Sequence, residues 1–168
     1  MVLGRGRPIA WPWLALAALI VLLDQLTKLW ALSALAEGER VPVLAFLNWR
    51  LAFNTGAAFS FLAEAGGWQQ WLFGGLALVV AAAMVFLLLT GRAKAGWERF
   101  AYALVLGGAV GNLIDRVWRG AVVDFVELHY AGLYWPAFNV ADASLSVAAV
   151  ALVVGLMIDA ARQRRLRG

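Results

Sequence analysis

Four long apolar runs alternate with polar stretches along the chain, at about residues 11–35, 68–90, 100–118 and 139–161. Each is close to or above the ~20 residues that carry an α-helix across a bilayer. Between the first two lies the longest polar segment, about 36–66, with Glu37, Glu39, Arg40, Pro42, Asn48, Arg50, Asn54, Glu64 and Gly66. Within it, Val41 to Phe53 is rich in aliphatic and aromatic residues with partial alternation, which predicts one or two short strands lying on the membrane surface. The second run opens with Trp68 and Trp71, residues suited to an interface. A short basic connection, 91–99, leads to the third run, and polar and aromatic residues 119–138 lead to the fourth. The expected fold is an all-α polytopic membrane protein: one membrane domain over 1–168, four transmembrane helices, and a small β-rich segment between the first and second.

The first run has one competing reading. Ala34-Leu35-Ala36 has the small-x-small form of a signal-peptide cleavage site. The run is too long for the apolar core of such a peptide and carries Asp24 and Lys28 in its middle, so a retained helix is expected.

Composition agrees with the pattern and removes several chemistries. Of the 168 residues 64% are hydrophobic and 14% charged, and the mean hydropathy is +0.80; a soluble domain is about half apolar and a quarter charged. The absence of cysteine excludes a thiol nucleophile, a disulfide framework and a cysteine zinc site. A lone histidine, His129, cannot build a multi-histidine metal site, and neither metal nor cofactor is expected. The net charge of +4 is explained by where it sits. Two basic residues in the N-terminal tail, three in 91–99 and four in the C-terminal tail make nine of the 14 on one side of a four-span chain. That bias places both termini in the cytoplasm and segments 36–66 and 119–138 outside, in the periplasm. The basic tail serves topology and anionic lipid headgroups, with no nucleic-acid partner.

The polar residues inside and beside the spans carry the chemistry, each with a plainer alternative. Asp24 and Lys28, at i and i+4, read as a self-neutralising ion pair or a brace beside a site. Asn54-Thr55-Gly56-Ala57-Ala58-Phe59-Ser60 reads as a turn or as a close-approach segment whose Asn54 can both donate and accept. Gly107 and Gly111 have the small-xxx-small spacing of helix packing. Asn112, Asp115 and Arg116 lie within five residues, suggesting inward polar contacts, with interfacial snorkelling of Asp115 and Arg119 as the alternative. Asp124 sits in the apolar frame Val122-Val123-Asp124-Phe125-Val126, read as a loop aspartate or half of an acid pair. Asn139-x-x-Asp142, opening the fourth run, has the form of a capping box, and capping does not exclude catalysis. Two carboxylates 18 residues apart, if brought together, would share a proton and activate water. His129 reads as a surface residue, and Asp159 as a boundary residue pairing with the basic tail. A Ser60–Lys28 dyad lacks any sign of an activated serine, and no G-x-S-x-G motif occurs. Two further readings remain: a small transporter or proton-conducting protein using Asp24/Lys28 and Asp115/Arg116, and a scaffold assembled through Gly107 and Gly111.

Five segments fall in order: Asp24-Gln25-Leu26-Thr27-Lys28, the Asn54–Ser60 segment, Gly111-Asn112-Leu113-Ile114-Asp115-Arg116, Val122-Val123-Asp124-Phe125 and Phe138-Asn139-Val140-Ala141-Asp142. Together, across residues 24–142, the sequence closely resembles the bacterial lipoprotein signal peptidases (signal peptidase II), four-span intramembrane aspartic proteases of the inner membrane. The resemblance implies that Asp124 and Asp142 are the catalytic pair. It implies that Asn54, Gly56, Gly108, Asn112, Arg116, Asn139 and Ala141 line or shape the site, with Asp24 and Lys28 supporting it. It also implies a substrate, a prolipoprotein whose cysteine carries a diacylglyceryl group, cleaved just before that cysteine near the periplasmic face. The implied enzyme is a metal-free monomer whose other partners are membrane lipids.

Overall fold

The computed structural model describes residues 10–56, 67–93 and 95–166. Ala57, Ala58, Phe59 and Ser60 of the Asn54 segment lie outside the described residues, as do Glu64, Gly66 and Lys94. Four helices are long and apolar enough to cross a membrane: α1 (Trp11–Ala34), α2 (Trp68–Leu89), α3 (Gly96–Arg119) and α4 (Val140–Arg165). Pro12 occupies the first turn of α1, where a missing N–H costs nothing. α3 begins four residues before the apolar run at 100, because Glu98 Oε2 accepts the Ala95 N–H at 3.0 Å; hydropathy does not register that cap. α4 continues past residue 161, its last turn carrying Arg162, Arg164 and Arg165, cations that suit a helix C-terminus. Among the described residues Asp159 forms no ion pair with that tail.

The sheet is larger than the 36–66 segment. It has four antiparallel strands in the order β1 (Val41–Leu44), β2 (Leu47–Asn54), β3 (Val122–Tyr130) and β4 (Leu133–Tyr134). Half of it therefore comes from the connection between α3 and α4, where the sequence suggests a loop. Val122-Val123-Asp124-Phe125-Val126 is a nearly continuous apolar run, the form taken by a strand covered on both faces. Val123 and Phe125 pack with Ala31, Leu32 and Leu35 of α1 and with Leu51. Asp124 is opposite Ala52 in the ladder, and Val122 opposite Asn54. The β3–β4 hairpin turns on Ala131 and Gly132, both at positive φ (49° and 83°), as a tight two-residue hairpin requires.

α3 is the central helix: 56% of its spanning window is buried, against 11% for α2. Its glycines allow this. Gly107 faces α1, where an added Cβ would lie 2.7 Å from Ile20 Cβ and 3.0 Å from the Ala17 carbonyl oxygen. Gly108 faces α4, where the same atom would lie 2.6 Å from Ser144 Oγ and 2.7 Å from the Ala141 carbonyl oxygen. Successive glycines thus seat two different helices against one, by the packing that small residues permit in membranes. The leucines and valines of α1, α2 and α4 that face outward, such as Leu22, Leu78 and Val153, form the lipid-facing surface.

Gly107→Ala should destabilise the folded protein by about 1–3 kcal/mol through overpacking, read as a lower unfolding midpoint in detergent. Gly75→Ala, where an added Cβ meets nothing within 4 Å, should leave the midpoint unchanged or raise it.

Candidate active site

Charged side chains fully inside a helix bundle must neutralise one another, and here they do. Lys28 Nζ lies 2.8 Å from Asp24 Oδ2 and 2.8 Å from Asp115 Oδ2, with all three side chains fully buried. Asp115 Oδ1 also holds the Arg119 guanidinium, one turn along α3. Two carboxylates and two cations make a neutral set, and Gln25 Nε2 ties it together, reaching Asp24 Oδ2 at 3.1 Å and Asp115 Oδ1 at 3.3 Å. The remaining lone pairs grip backbone. Ala141 N–H donates to Asp24 Oδ1 at 2.9 Å, and Val123 N–H to Asp115 Oδ2 at 3.0 Å. Each brace aspartate therefore holds the residue immediately before one of the two other aspartates, Asp142 and Asp124. Gly111 makes room for this, since a Cβ there would sit 2.6 Å from Asp24 Oδ2. Asp24, Lys28 and Asp115 are fully buried, and Arg119 carries the set toward the surface.

Asp124 and Asp142 line one cleft of about 880 Å³ together with Asn54, Asn112 and Arg116. Asn139 is the N-cap of α4: its Oδ1 accepts the Asp142 N–H at 2.9 Å, and Asp142 Oδ2 accepts the Asn139 N–H at 3.3 Å. The expected capping box is present, and it does more than cap. With its oxygen on the helix, Asn139 turns Nδ2 toward Asp124 Oδ1 at 2.7 Å. Asn112 Nδ2 donates to Asp142 Oδ1 at 2.8 Å, while Asn112 Oδ1 accepts from Lys28 Nζ at 3.0 Å and Asn139 Nδ2 at 3.2 Å. A carboxamide frame thus joins the two carboxylates and connects them to the buried brace. Burial and then the neighbouring Asp142 charge push the Asp124 carboxyl up to about 8, against the opposing hydrogen bonds of Asn139 and Asn54. At neutral pH the pair retains a proton.

The other expected site residues fall around this frame. Asn54, at the end of β2, accepts the Gly56 N–H at 3.0 Å, the bond of a turn, and also hydrogen-bonds Asp124. Gly56 is buried, and its carbonyl accepts from Arg116 Nη2 at 3.1 Å. Arg116 has its guanidinium in the field of both Asp142 and Asp124. Gly108 and Ala141 act through close approach, letting α3 meet the first turn of α4. Asp115 is fully buried, so the inward reading holds over snorkelling. Lys28 spends its ammonium on carboxylates and Asn112, which leaves nothing to activate a serine. His129 is half-buried and stacks on Tyr134 at 5.4 Å.

Three residues of this region were not among the expected site residues. Gln25 and Arg119 complete the buried brace. Glu127, fully buried on β3, gathers Arg40 at 2.7 Å, Arg50 at 2.9 Å and Asn48 at 3.2 Å. Burial would raise its carboxyl, but the bonds from Arg40, Asn48 and Arg50 outweigh this and hold it below the usual range. A glutamate at the end of a valine-rich run, with Arg50 in β2 and Arg40 just before β1, was the available clue.

The geometry has counterparts among known proteins. The family model for signal peptidase (SPase) II matches residues 16–158. The chain belongs to the signal peptidase II family. It is therefore a membrane peptidase, a hydrolase of peptide bonds. It is 50% identical over 153 residues to the lipoprotein signal peptidase of Ralstonia nicotianae, covering 90% of this chain and 86% of that one. With the lipoprotein signal peptidase of Xanthomonas oryzae pv. oryzae it shares 46% identity over 162 residues, 95% and 97% of the two chains. Among solved structures, a bacterial membrane enzyme determined by the in meso method matches with a TM-score of 0.80 at 29% identity, covering 90% of each chain.

The raised Asp124 carboxyl has a consequence for stability in this signal peptidase II family member. Its folded pKa, about 8, lies well above the ordinary aspartate value, so the folded state holds the proton more tightly than the unfolded chain. The stabilisation is complete below about pH 4 and is lost as pH rises through about 8. The unfolding midpoint in detergent should therefore fall between pH 6 and 9, and Asp124→Asn should flatten that fall.

Proposed function

We propose that the protein removes the signal peptide from diacylglyceryl-modified prolipoproteins, cleaving just before the lipidated cysteine, with Asp124 and Asp142 as an acid–base pair that activates water. The single observation that carries this reading is the carboxamide frame. Asn139 and Asn112 hold one oxygen of each aspartate in a shared cleft, and burial with the neighbouring charge favours retention of one proton by the pair. The ionised partner takes a proton from water as the water attacks the scissile carbonyl. The protonated partner donates to the oxyanion; on collapse of the tetrahedral intermediate the proton taken from water passes to the leaving amine, and the new carboxyl group returns a proton to the second aspartate. Arg116 adds positive charge beside both carboxylates and keeps the pair from discharging each other's role as the proton moves. The pair titrates as a unit, so its macroscopic pKa values belong to both residues.

Substrate class follows from family and from the cleft wall. The relatives from Ralstonia and Xanthomonas bear the name lipoprotein signal peptidase. Ala143, Leu145 and Val147 of α4 give the cleft an apolar side continuous with the lipid-facing helices, suited to acyl chains that stay in the bilayer while water reaches the bond. In this reading the sheet end of the bundle faces the periplasm of the bacterial inner membrane and both termini lie in the cytoplasm. One copy carries both aspartates, so a monomer suffices.

Asp124→Asn and Asp142→Asn, purified and shown to unfold at wild-type midpoints near neutral pH, should each lose roughly 10²–10⁴-fold or more in cleavage of a lipid-modified precursor. Near-wild-type turnover by either folded variant would remove the pair from the mechanism. For the wild type, kcat should decline on the alkaline side near pH 8, where Asp124 gives up its proton.

A further inference from the structure

The two site carboxamides face the aspartates with their nitrogens, and a single buried cation accounts for it. An ammonium has three donors and no acceptor, so Lys28, 3.0 Å from Asn112, requires the oxygen of that carboxamide. The nitrogen is then left for Asp142 at 2.8 Å. The same Asn112 oxygen also takes Asn139 Nδ2 at 3.2 Å, the nitrogen that donates to Asp124 Oδ1 at 2.7 Å. We propose that Lys28 is a positioning residue for the aspartate pair, fixing through Asn112 and Asn139 which oxygen of each carboxylate is occupied by a hydrogen bond and which is left for water and the shared proton. This rests on the reading of Asp124 and Asp142 as the reacting pair.

The alternative role is a brace only. Lys28 joins Asp24 of α1 to Asp115 of α3, and those two aspartates hold the Ala141 and Val123 amides. A pure brace needs a cation at that point but is indifferent to the carboxamide of Asn112. Lys28 instead spends a donor on Asn112, one residue from the reacting groups. The charges around it are Asp24 from its own helix, Asp115 and, beyond it, Arg119 from α3, and farther out Asp124 of β3 and Asp142 of α4. Its positive charge favours the ionised form of Asp124. Removing it moves the pH at which the pair first ionises upward.

Lys28→Met alone strands the buried carboxylate of Asp24, since Asp115 keeps Arg119. The informative change is the charge-balanced pair Asp24→Asn/Lys28→Met, which keeps an oxygen at position 24 for the Ala141 amide and leaves Asp115 with Arg119. In the full-length protein, kcat and KM for a lipid-modified precursor peptide would be followed from pH 4 to 9 beside the unfolding midpoint. The expected result is a kcat at least tenfold lower, a KM within about threefold, and an acid limb displaced to higher pH. A second variant, Asn112→Asp, preserves an oxygen for Lys28 but turns an acceptor on Asp142. It should lose roughly 100-fold in kcat while still folding, with a lower unfolding midpoint from the added buried carboxylate. A folded Asp24→Asn/Lys28→Met protein with wild-type kcat and acid limb would overturn the inference. If that protein does not fold, a folded Asn112→Asp enzyme at wild-type kcat overturns it equally. Asp124→Asn run alongside separates the two levels: an inactive Asp124→Asn with a fully active double variant removes only Lys28, whereas an active Asp124→Asn removes the aspartate pair itself.

Discussion

Lys28 sits between Asp24 and Asp115 with no water-exposed surface on any of the three. Such a triad costs desolvation that the attraction only partly repays, and losing one member is far more damaging than never having had it. The rest of the structure depends on that commitment. Once α1 and α3 are joined through Lys28, the spare carboxylate oxygens have to find donors, and the backbone supplies them from two chain segments that are otherwise unrelated. Asp24 takes the first turn of α4, and Asp115 takes the start of β3. The two residues that follow those amides are Asp142 and Asp124.

The site is therefore placed by backbone, not by the flexible reach of long side chains. Asp142 belongs to a capped helix end, where the dipole favours its charge. Asp124 belongs to a strand held in register by β2 on one side and backed on its other face by α1. Two short carboxamides, Asn112 and Asn139, span what remains, and each has its oxygen already committed, to Lys28 and to the α4 backbone respectively. The donors of Asn112 and Asn139 are thus fixed by the fold itself, the kind of preorganisation that the proposed acid–base chemistry requires. On the α1 side the aromatic set Trp30, Trp49 and Phe125 locks the sheet to the bundle, with ring centroids 5.3–6.1 Å apart.

What could be read from the sequence follows the range of the interaction. The four helices show because lipid-facing length is written locally, residue by residue. Asp24 with Lys28, and Asn139 with Asp142, show because their partners are three or four positions away. Asp115 as the third member of the triad does not, since it meets Lys28 across 87 residues of chain. Strand β3 is the larger omission. Its pairing partner lies in the 36–66 segment, and a strand covered on both faces has little of the alternation that marks a half-exposed one. The site motifs carried a family resemblance and hence the two aspartates, but the reason they meet is non-local: the chain leaves α3, pairs with β2, and returns to cap α4 beside its own strand.

In the proposed pair, Asp124 and Asp142 lie close enough to share one proton. The infrared band of protonated carboxyls, assigned with isotope-labelled aspartate and followed against pH, tests it directly in the wild type and in Asp142→Asn. The account predicts a wild-type band that persists to about pH 8 and, with the Asp142 charge gone, a midpoint displaced to lower pH. Equal midpoints in the two proteins, or no protonated aspartate at neutral pH, would contradict it.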